Sequence, residues 1–462
     1  MKKKFYIEIA AVVLSVIAVI AVLDSRRVFA YDESNNHVGR RWTALYRLSR
    51  KQPVDVFVLG NSHAYTGLLP KELSCALGKT CFVLASQGNY LTDAYYMLKE
   101  ALEVTKPKLV VVETYLIRNY TQKDFKGGDL TCQIQSFEAR RNVWQKLQST
   151  FSLFSIDNAP YAWSGTLRNH SYVFDNVKQL KHNLKHPEAP RMGGGLYLGR
   201  FVRFTSGLER KVLARYAEEG APVDGKDMTV SEDAYGAMED IVSLCKKKGV
   251  DIMFLTLPMY KDHVCNYDVW RSNLSRLIGR YDYPWLDMQY DYDHEMFGPE
   301  CFENTYASNQ HMTFTGAQVC TYKLADYIRM HYPQLIQSGP SEGWKELFYG
   351  EDGYFENFSP EKSERRVLVI GRHADVGGVH VNEVLVASYP KYNQIIVKTA
   401  HGGHTPESIH AFGEFRTRDG KDVVYKLDLP RQTYFIRPDY DLYTIKLDKG
   451  LVLKDFRFHV PE

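Results

Sequence analysis

The chain has 462 residues, enough for two or three domains at roughly 150 residues each, and its 44% hydrophobic and 13% aromatic content supplies packed cores and rules out a mainly disordered protein. Lys and Arg number 58 against 55 Asp and Glu, a formal net charge of +3 with no long basic run beyond the first residues, which excludes a nucleic-acid-coating protein. The 32 tyrosines fit either a Tyr-rich core or amphipathic rings that stack on sugars.

Phe5 to Leu23 is an apolar run whose one charge is Glu8, preceded by Lys2, Lys3 and Lys4. As a helix it is long enough to cross a hydrocarbon core of about 30 Å. Three lysines on one side, against Arg26 and Arg27 offset by Asp24 on the other, place the remaining chain outside the cytoplasm. Residues 1–30 therefore read as a membrane anchor. The competing reading is a cleaved signal peptide ending at Val28-Phe29-Ala30, against which Arg26 and Arg27 stand. No second apolar stretch of spanning length follows. The 7 cysteines contain no close CxxC pair, which argues against a structural zinc site; pairing of Cys75 with Cys81 or of Cys265 with Cys301, and buried free thiols, are both open.

Residues 31–53 form a polar connector. From residue 54 short apolar runs alternate with helical segments, the mark of an α/β domain with a parallel sheet flanked by helices. Val54–Leu59, Cys81–Ala85, Leu109–Val112 and Asp251–Leu257 read as strands, and 92–105 has helical spacing with Pro107 beyond it. Ser231 is a cap for a helix that runs to Lys248 and stops at Gly249. Residues 120–225 interrupt this rhythm and read as an insertion, a substrate-covering lid or plain decoration, inside a domain spanning 54–340. Beyond a connector, residues 360–462 contain short strand-like runs at 366–370, 379–387, 394–398, 423–427, 434–437 and 451–459 separated by turns, which predicts an all-β sandwich module, a candidate for carbohydrate binding.

The strongest local signal is Val56-Phe57-Val58-Leu59-Gly60-Asn61-Ser62-His63, a buried-type strand that stops at a glycine and presents a serine at its carboxyl end, where ligands of parallel sheets bind. A serine hydroxyl needs a base and donors for a developing oxyanion before it can act as a nucleophile. The same four residues also fit a simple turn. A base is available late in the domain, in Ser308-Asn309-Gln310-His311-Met312-Thr313-Phe314-Thr315-Gly316-Ala317, just before a helical stretch to Ile328. His63 is adjacent to Ser62 and points away from it on an extended segment, so it suits a structural or substrate-contacting role. His401, His404 and His410 lie in a Gly- and Pro-containing stretch, and no metal or other cofactor is expected.

Ser early and His about 250 residues later, before a last helix, resembles the SGNH/GDSL hydrolase superfamily, over roughly residues 54–332. Gly60 to Pro70, Ser86-Gln87-Gly88-Asn89, Tyr95 to Lys99, Lys106-Pro107-Lys108 before Leu109 to Glu113, and His311 to Ala317 are similar to its extracytoplasmic branch that acetylates cell-surface polysaccharides. The resemblance implies Ser62 as nucleophile, His311 as general base and then acid, and the N–H groups of Ser62 and Gly88 in the oxyanion hole. Two positions depart from the family pattern. Ser308 stands where the Asp that orients the histidine is usual, which leaves Asp287, after the strand-like 283–286, Asn309 or a backbone carbonyl to hold the ring. Glu113-Thr114-Tyr115 replaces a Gly-x-Asn-Asp block, which leaves Asn89, Tyr115 or Asn119 as the remaining oxyanion donor.

The resemblance implies an O-acyltransferase, acetyl by preference, acting on a polysaccharide acceptor through a Ser62 acyl intermediate, with a polytopic membrane O-acyltransferase as the partner that supplies acyl groups. A carbohydrate esterase using the same residues, or a non-catalytic glycan-binding assembly protein, are the alternatives.

Overall fold

The computed structural model describes residues 2–30, 37–117, 126–185, 207–337, 364–369, 374–376, 379–388, 392–400, 406, 408–431, 440–448 and 450–458. In chain order the first helices and strands are α1 (Lys2–Ser25), α2 (His37–Lys51), β1 (Val56–Gly60), α3 (Ser62–Gly67), α4 (Pro70–Leu77), β2 (Cys81–Ala85), α5 (Leu91–Val104) and β3 (Leu109–Glu113). The inserted segment follows as α6 (Gly127–Ala139), α7 (Val143–Leu153), α8 (Ala159–Trp163), α9 (Gly165–Asp175), α10 (Val177–Lys185), α11 (Arg210–Glu219) and the short β4 (Val223–Asp224). The α/β pattern then resumes with α12 (Glu232–Lys248), β5 (Asp251–Thr256), β6 (Val264–Cys265), α13 (Tyr267–Ile278), β7 (Trp285–Asp287), α14 (Phe314–His331) and α15 (Pro333–Gln337). The chain divides into two compact units, Met1–Pro70 with Thr80–Gln337, and Lys71–Lys79 with Ser338–Glu462.

Within the first unit one sheet has the order β2-β1-β3-β5-β7, with every pair parallel. β1, β2 and β3 are buried along their whole length, which is why they read as continuous apolar runs and not as alternating ones. The chain moves from β1 to β2 on one side and then returns past β1 to β3. The connections therefore reverse direction at the carboxyl ends of β1 and β3, the crevice where open parallel sheets bind ligands. Gly60 closes β1 at this point. A Cβ there would lie 2.3 Å from the Ala64 Cβ, so only glycine lets α3 turn this tightly over the strand. The expected Ser231 cap is present, its hydroxyl accepting from the Ala234 N–H, and Gly249 ends α12 in the left-handed region at φ 66°.

α1 contains a 22-residue apolar stretch with a mean hydropathy of 2.7, long enough to cross a membrane, and none of it is buried against the rest of the protein. Of the cysteines, Cys81, Cys132, Cys245, Cys265, Cys301 and Cys320 are free. The suggested pairings of Cys75 with Cys81 and of Cys265 with Cys301 are therefore not made: Cys265 is exposed while Cys301 is buried.

The second unit contains β8 (Glu364–Val369), β9 (Ala374–Val376), β10 (Val379–Ser388), β11 (Tyr392–Ala400), β12 (Ser408–Arg416), β13 (Asp422–Pro430), β14 (Tyr440–Asp448) and β15 (Val452–Phe458). They form two antiparallel sheets, β14-β11-β10-β8 with β9 beside β10, and β13-β12-β15. Val384, Ile395, Val397 and Tyr443 from the first share one core with Ile409, Phe415, Leu429 and Phe456 from the second, a two-layer β arrangement. β9, β12 and β14 are additions to the strands read from sequence. In β12 the buried positions Ile409, Ala411 and Phe415 alternate with exposed ones, so there is no continuous apolar run to mark it. The strand-like run at 434–437 and the residues His401 and His404 lie outside the described residues; His410 is exposed, 3.4 Å from Asp428.

Candidate active site

Asn61 organises the turn between β1 and α3. Its side-chain oxygen accepts from the His63 N–H at 3.0 Å, and its Nδ2 donates to the Tyr115 carbonyl at 3.1 Å, tying the ends of β1 and β3 together across the crevice. Ser62 is the first residue of α3, so its N–H has no intrahelical acceptor and is available to an oxyanion. Its hydroxyl has no hydrogen-bond partner among the described residues.

The His63 ring stacks on Tyr115, with centroids 3.8 Å apart and planes 15° apart, and lies 5.6 Å from the His311 ring. That places His311 beside the residue that follows Ser62, consistent with the packing of α14 against α3. His63 Nε2 is 3.0 Å from Asn309 Oδ1, and Asn309 Nδ2 is 3.5 Å from His311 Nε2. These contacts hold the His63 ring between Tyr115 and Asn309.

The carboxylate that holds His311 is Glu303. Its Oε2 is 3.1 Å from His311 Nδ1, and the side chains of both are nearly buried. An antiparallel bridge between Phe302 and Met312, with the Glu303 N–H donating to the His311 carbonyl at 2.8 Å, sets the two residues opposite each other. A carboxylate at Nδ1 keeps the proton there, so the neutral ring has its lone pair on Nε2, as a general base requires.

Neither carboxylate position weighed from the sequence does this work. Ser308, where the family pattern has Asp, is exposed. Asp287 ends β7, three strand spacings or about 14 Å from β1, and is engaged by the Tyr267 hydroxyl at 2.8 Å, the Tyr290 N–H at 3.0 Å and Arg271 at 3.2 Å. It is a structural carboxylate that ties β7 to α13, and burial pushes its carboxyl up.

On the oxyanion side, Gly88 adopts φ 59°, and its N–H donates to no described residue. A Cβ at Gly88 would lie 3.3 Å from the Cys132 Cβ on α6, and Gln133 of the same helix donates to the Gly88 carbonyl at 2.8 Å. Asn89 does not face the crevice. It is buried, with Nδ2 3.4 Å from the Gly60 carbonyl and 3.3 Å from Met97 Sδ, so it braces the end of β1. Tyr115 contributes its ring to His63 and its N–H to the Glu113 carboxylate at 3.0 Å. Asn119 lies outside the described residues. Of the side chains weighed as oxyanion donors, Asn89 and Tyr115 are thus engaged elsewhere, and the Asn309 amide lies 3.5 Å from His311 Nε2.

The insertion supports both halves of the site. α6 backs the Gly88 turn, and α11 sends Tyr216 beneath the loop that carries His311. The Tyr216 hydroxyl lies 2.7 Å from His263 Nδ1 and 3.2 Å from the Thr305 carbonyl, and accepts from Gln310 Nε2 at 3.1 Å, while Gln310 Oε1 accepts from the Tyr260 N–H at 2.8 Å. Tyrosines 216, 260 and 306 pack their rings together here, one place where the tyrosine excess is spent.

Burial holds the pKa of His263 down to about 4. Unfolded, it titrates near 6.5, so between these values the unfolded chain binds a proton that the folded chain does not. This contribution to stability is complete above about pH 6.5 and is lost as the pH falls towards 4. His263→Gln is expected to flatten the fall of Tm between pH 6.5 and 4.5 relative to wild type, measured by thermal unfolding; an unchanged slope would remove His263 from the acid sensitivity of the loop.

No family model, curated protein or solved structure matches this chain.

Proposed function

We propose that this is a membrane-anchored serine O-acyltransferase, with its catalytic unit outside the cytoplasm, that transfers an acetyl group to a cell-surface or secreted polysaccharide. The observation that carries the chemistry is the nearly buried Glu303–His311 pair, whose histidine ring lies 5.6 Å from that of His63, the residue after Ser62 at the carboxyl end of β1. The choice of acetyl and polysaccharide rests on the resemblance of residues 60–70, 86–89 and 311–317 to the SGNH/GDSL superfamily. The exposed apolar α1 supports the anchor.

In the first half-reaction His311 Nε2 takes the proton of the Ser62 hydroxyl as Oγ bonds to the acyl carbon, and the N–H groups of Ser62 and Gly88 receive the oxyanion. His311 returns the proton to the departing donor oxygen, leaving acetyl on Ser62. In the second, the ring takes the proton of a sugar hydroxyl, whose oxygen attacks the acyl carbon, and then gives it back to Ser62 Oγ. Glu303 holds the imidazolium in both. A chain with one candidate span needs a separate membrane protein to carry acyl groups across the bilayer, and a polytopic O-acyltransferase fits that need.

The test is incubation of the full chain with a small activated acetyl ester, with and without an oligosaccharide panel, read by mass spectrometry of protein and sugar. Acetyl on Ser62 that moves to sugar is the expected result. Release only as free acetate, whatever acceptor is offered, would make it an esterase. No acetyl on Ser62 would leave a glycan-binding protein.

A further inference from the structure

The chain leaving α1 is fastened to the insertion. Asp24, one residue past the apolar run, accepts from the N–H and hydroxyl of Thr166 at 2.8 and 2.7 Å, which caps the first turn of α9. Asn169 Nδ2 donates to the Phe29 carbonyl at 3.1 Å, and Asn183 Nδ2 on α10 donates to the carbonyls of Val28 and Ala30 at 3.0 and 2.8 Å. The Phe29 side chain is buried, its ring 5.3 Å from that of Phe174. Cleavage after Ala30 would remove Asp24 from the start of α9, so these contacts favour a retained anchor. They also fix the depth of α9 and α10. A helix capped by the residue that ends a membrane span starts at the headgroup layer, which is about 5–7 Å thick on each side and thinner than a helix.

The same helices are turned the wrong way for a surface in water. On α7 the buried positions are Gln145, Ser149, Thr150 and, at its end, Leu153, while Val143, Trp144, Leu147 and Phe151 face outward, with Trp144 76% exposed. A helix of a soluble domain buries the apolar stripe instead. The pattern continues with Ile156 at 78% exposure, and with Trp163, Phe174 and Leu184, while the polar Asn183 is buried. Residues 143–185 carry five Lys or Arg against two Asp. Three of them, Lys178, Lys181 and Lys185, are exposed on α10 at spacings of three and four, on one side of that helix.

From this juxtaposition we infer that α7–α10 form a bilayer-docking face that sets its Trp, Phe and Ile side chains into the interface of the membrane spanned by α1, with the α10 lysines on anionic headgroups. Aromatic and aliphatic side chains at headgroup depth, backed by lysines, are the composition of an interfacial helix, and each lysine near an anionic surface adds to the attraction. Because α6 of the same insertion backs the Gly88 turn, docking would hold the Ser62 crevice at a fixed height above the membrane. The inference rests on the anchor reading of α1.

The test uses the full chain reconstituted in phosphatidylcholine and phosphatidylglycerol vesicles whose phosphatidylcholine carries bromine on its acyl chains. Tryptophan emission should be quenched by the bromolipid. Trp144→Phe and Trp163→Phe, which keep the surface apolar, should remove most of the quenched component, and Lys178→Gln with Lys181→Gln should reduce it only in vesicles containing phosphatidylglycerol. Carbonate extraction of the same vesicles reports on α1 separately. Retention after carbonate together with iodide quenching of Trp144 as strong as in detergent would overturn docking while leaving the anchor intact. Retention with Trp144 shielded from both quenchers would overturn it in favour of a protein partner. Release by carbonate would overturn the anchor, and the docking face with it.

Discussion

Ser62→Ala, His311→Ala and the double variant are each expected to lose acyl transfer by nearly the same factor, roughly 10⁶ in kcat, because a nucleophile and its base act as one unit. Without Ser62 there is no oxygen to receive the acyl group. Without His311 the hydroxyl keeps its proton and the leaving group departs unprotonated. The residual rate in all three variants then reflects acyl-donor binding and the N–H groups of Ser62 and Gly88, which none of these substitutions removes. Steady-state transfer of acetyl from an activated ester to an oligosaccharide, followed by mass spectrometry of the sugar, measures the three losses. A double variant that falls by the product of the single losses would show two independent contributions, and the acyl-enzyme mechanism would have to be abandoned.

The parts of the site legible in the sequence are those carried by local patterns. Val56 to Leu59 is buried on both faces and reads as an apolar run; Gly60 stops it, and the serine follows at once. His311 precedes a helix whose N-cap, Thr313, accepts from the Gly316 N–H, and that short motif is local too. Glu303 was not legible. It meets His311 through a single antiparallel bridge across the eight-residue separation between them, and no spacing rule for helices or strands predicts that pairing. The one available signal was the pair of apolar residues Phe302 and Met312, each adjacent to a polar residue able to do chemistry. Asp287 failed for a different reason. It does sit at the carboxyl end of a parallel strand, but strand order is a tertiary property, and β7 proves to be the far edge of the sheet. The insertion was legible as a break in rhythm, whereas its inverted helix α7 becomes visible only once burial shows which side faces the protein.

Glu303→Gln separates this arrangement from the alternatives. The amide keeps the shape but can present its N–H to Nδ1, which favours the tautomer with the proton on Nε2, where the lone pair is needed; it also supplies no charge for the imidazolium. A loss of about 10⁴ in kcat is expected by analogy with the same change in a catalytic triad, with little change in KM because Glu303 acts through His311 Nδ1. Glu303→Asp should recover part of the activity. Ser308→Asp placed in the Glu303→Gln background should not, since Ser308 is exposed and Nδ1 already faces position 303. Asp287→Asn should do the reverse of Glu303→Gln, lowering Tm by weakening the tie between β7, Tyr267 and Arg271 while leaving kcat close to wild type. Steady-state kinetics and thermal unfolding of the four variants decide between the two carboxylates. Activity that survives Glu303→Gln but is lost in Asp287→Asn would mean that a group other than Glu303 orients the histidine.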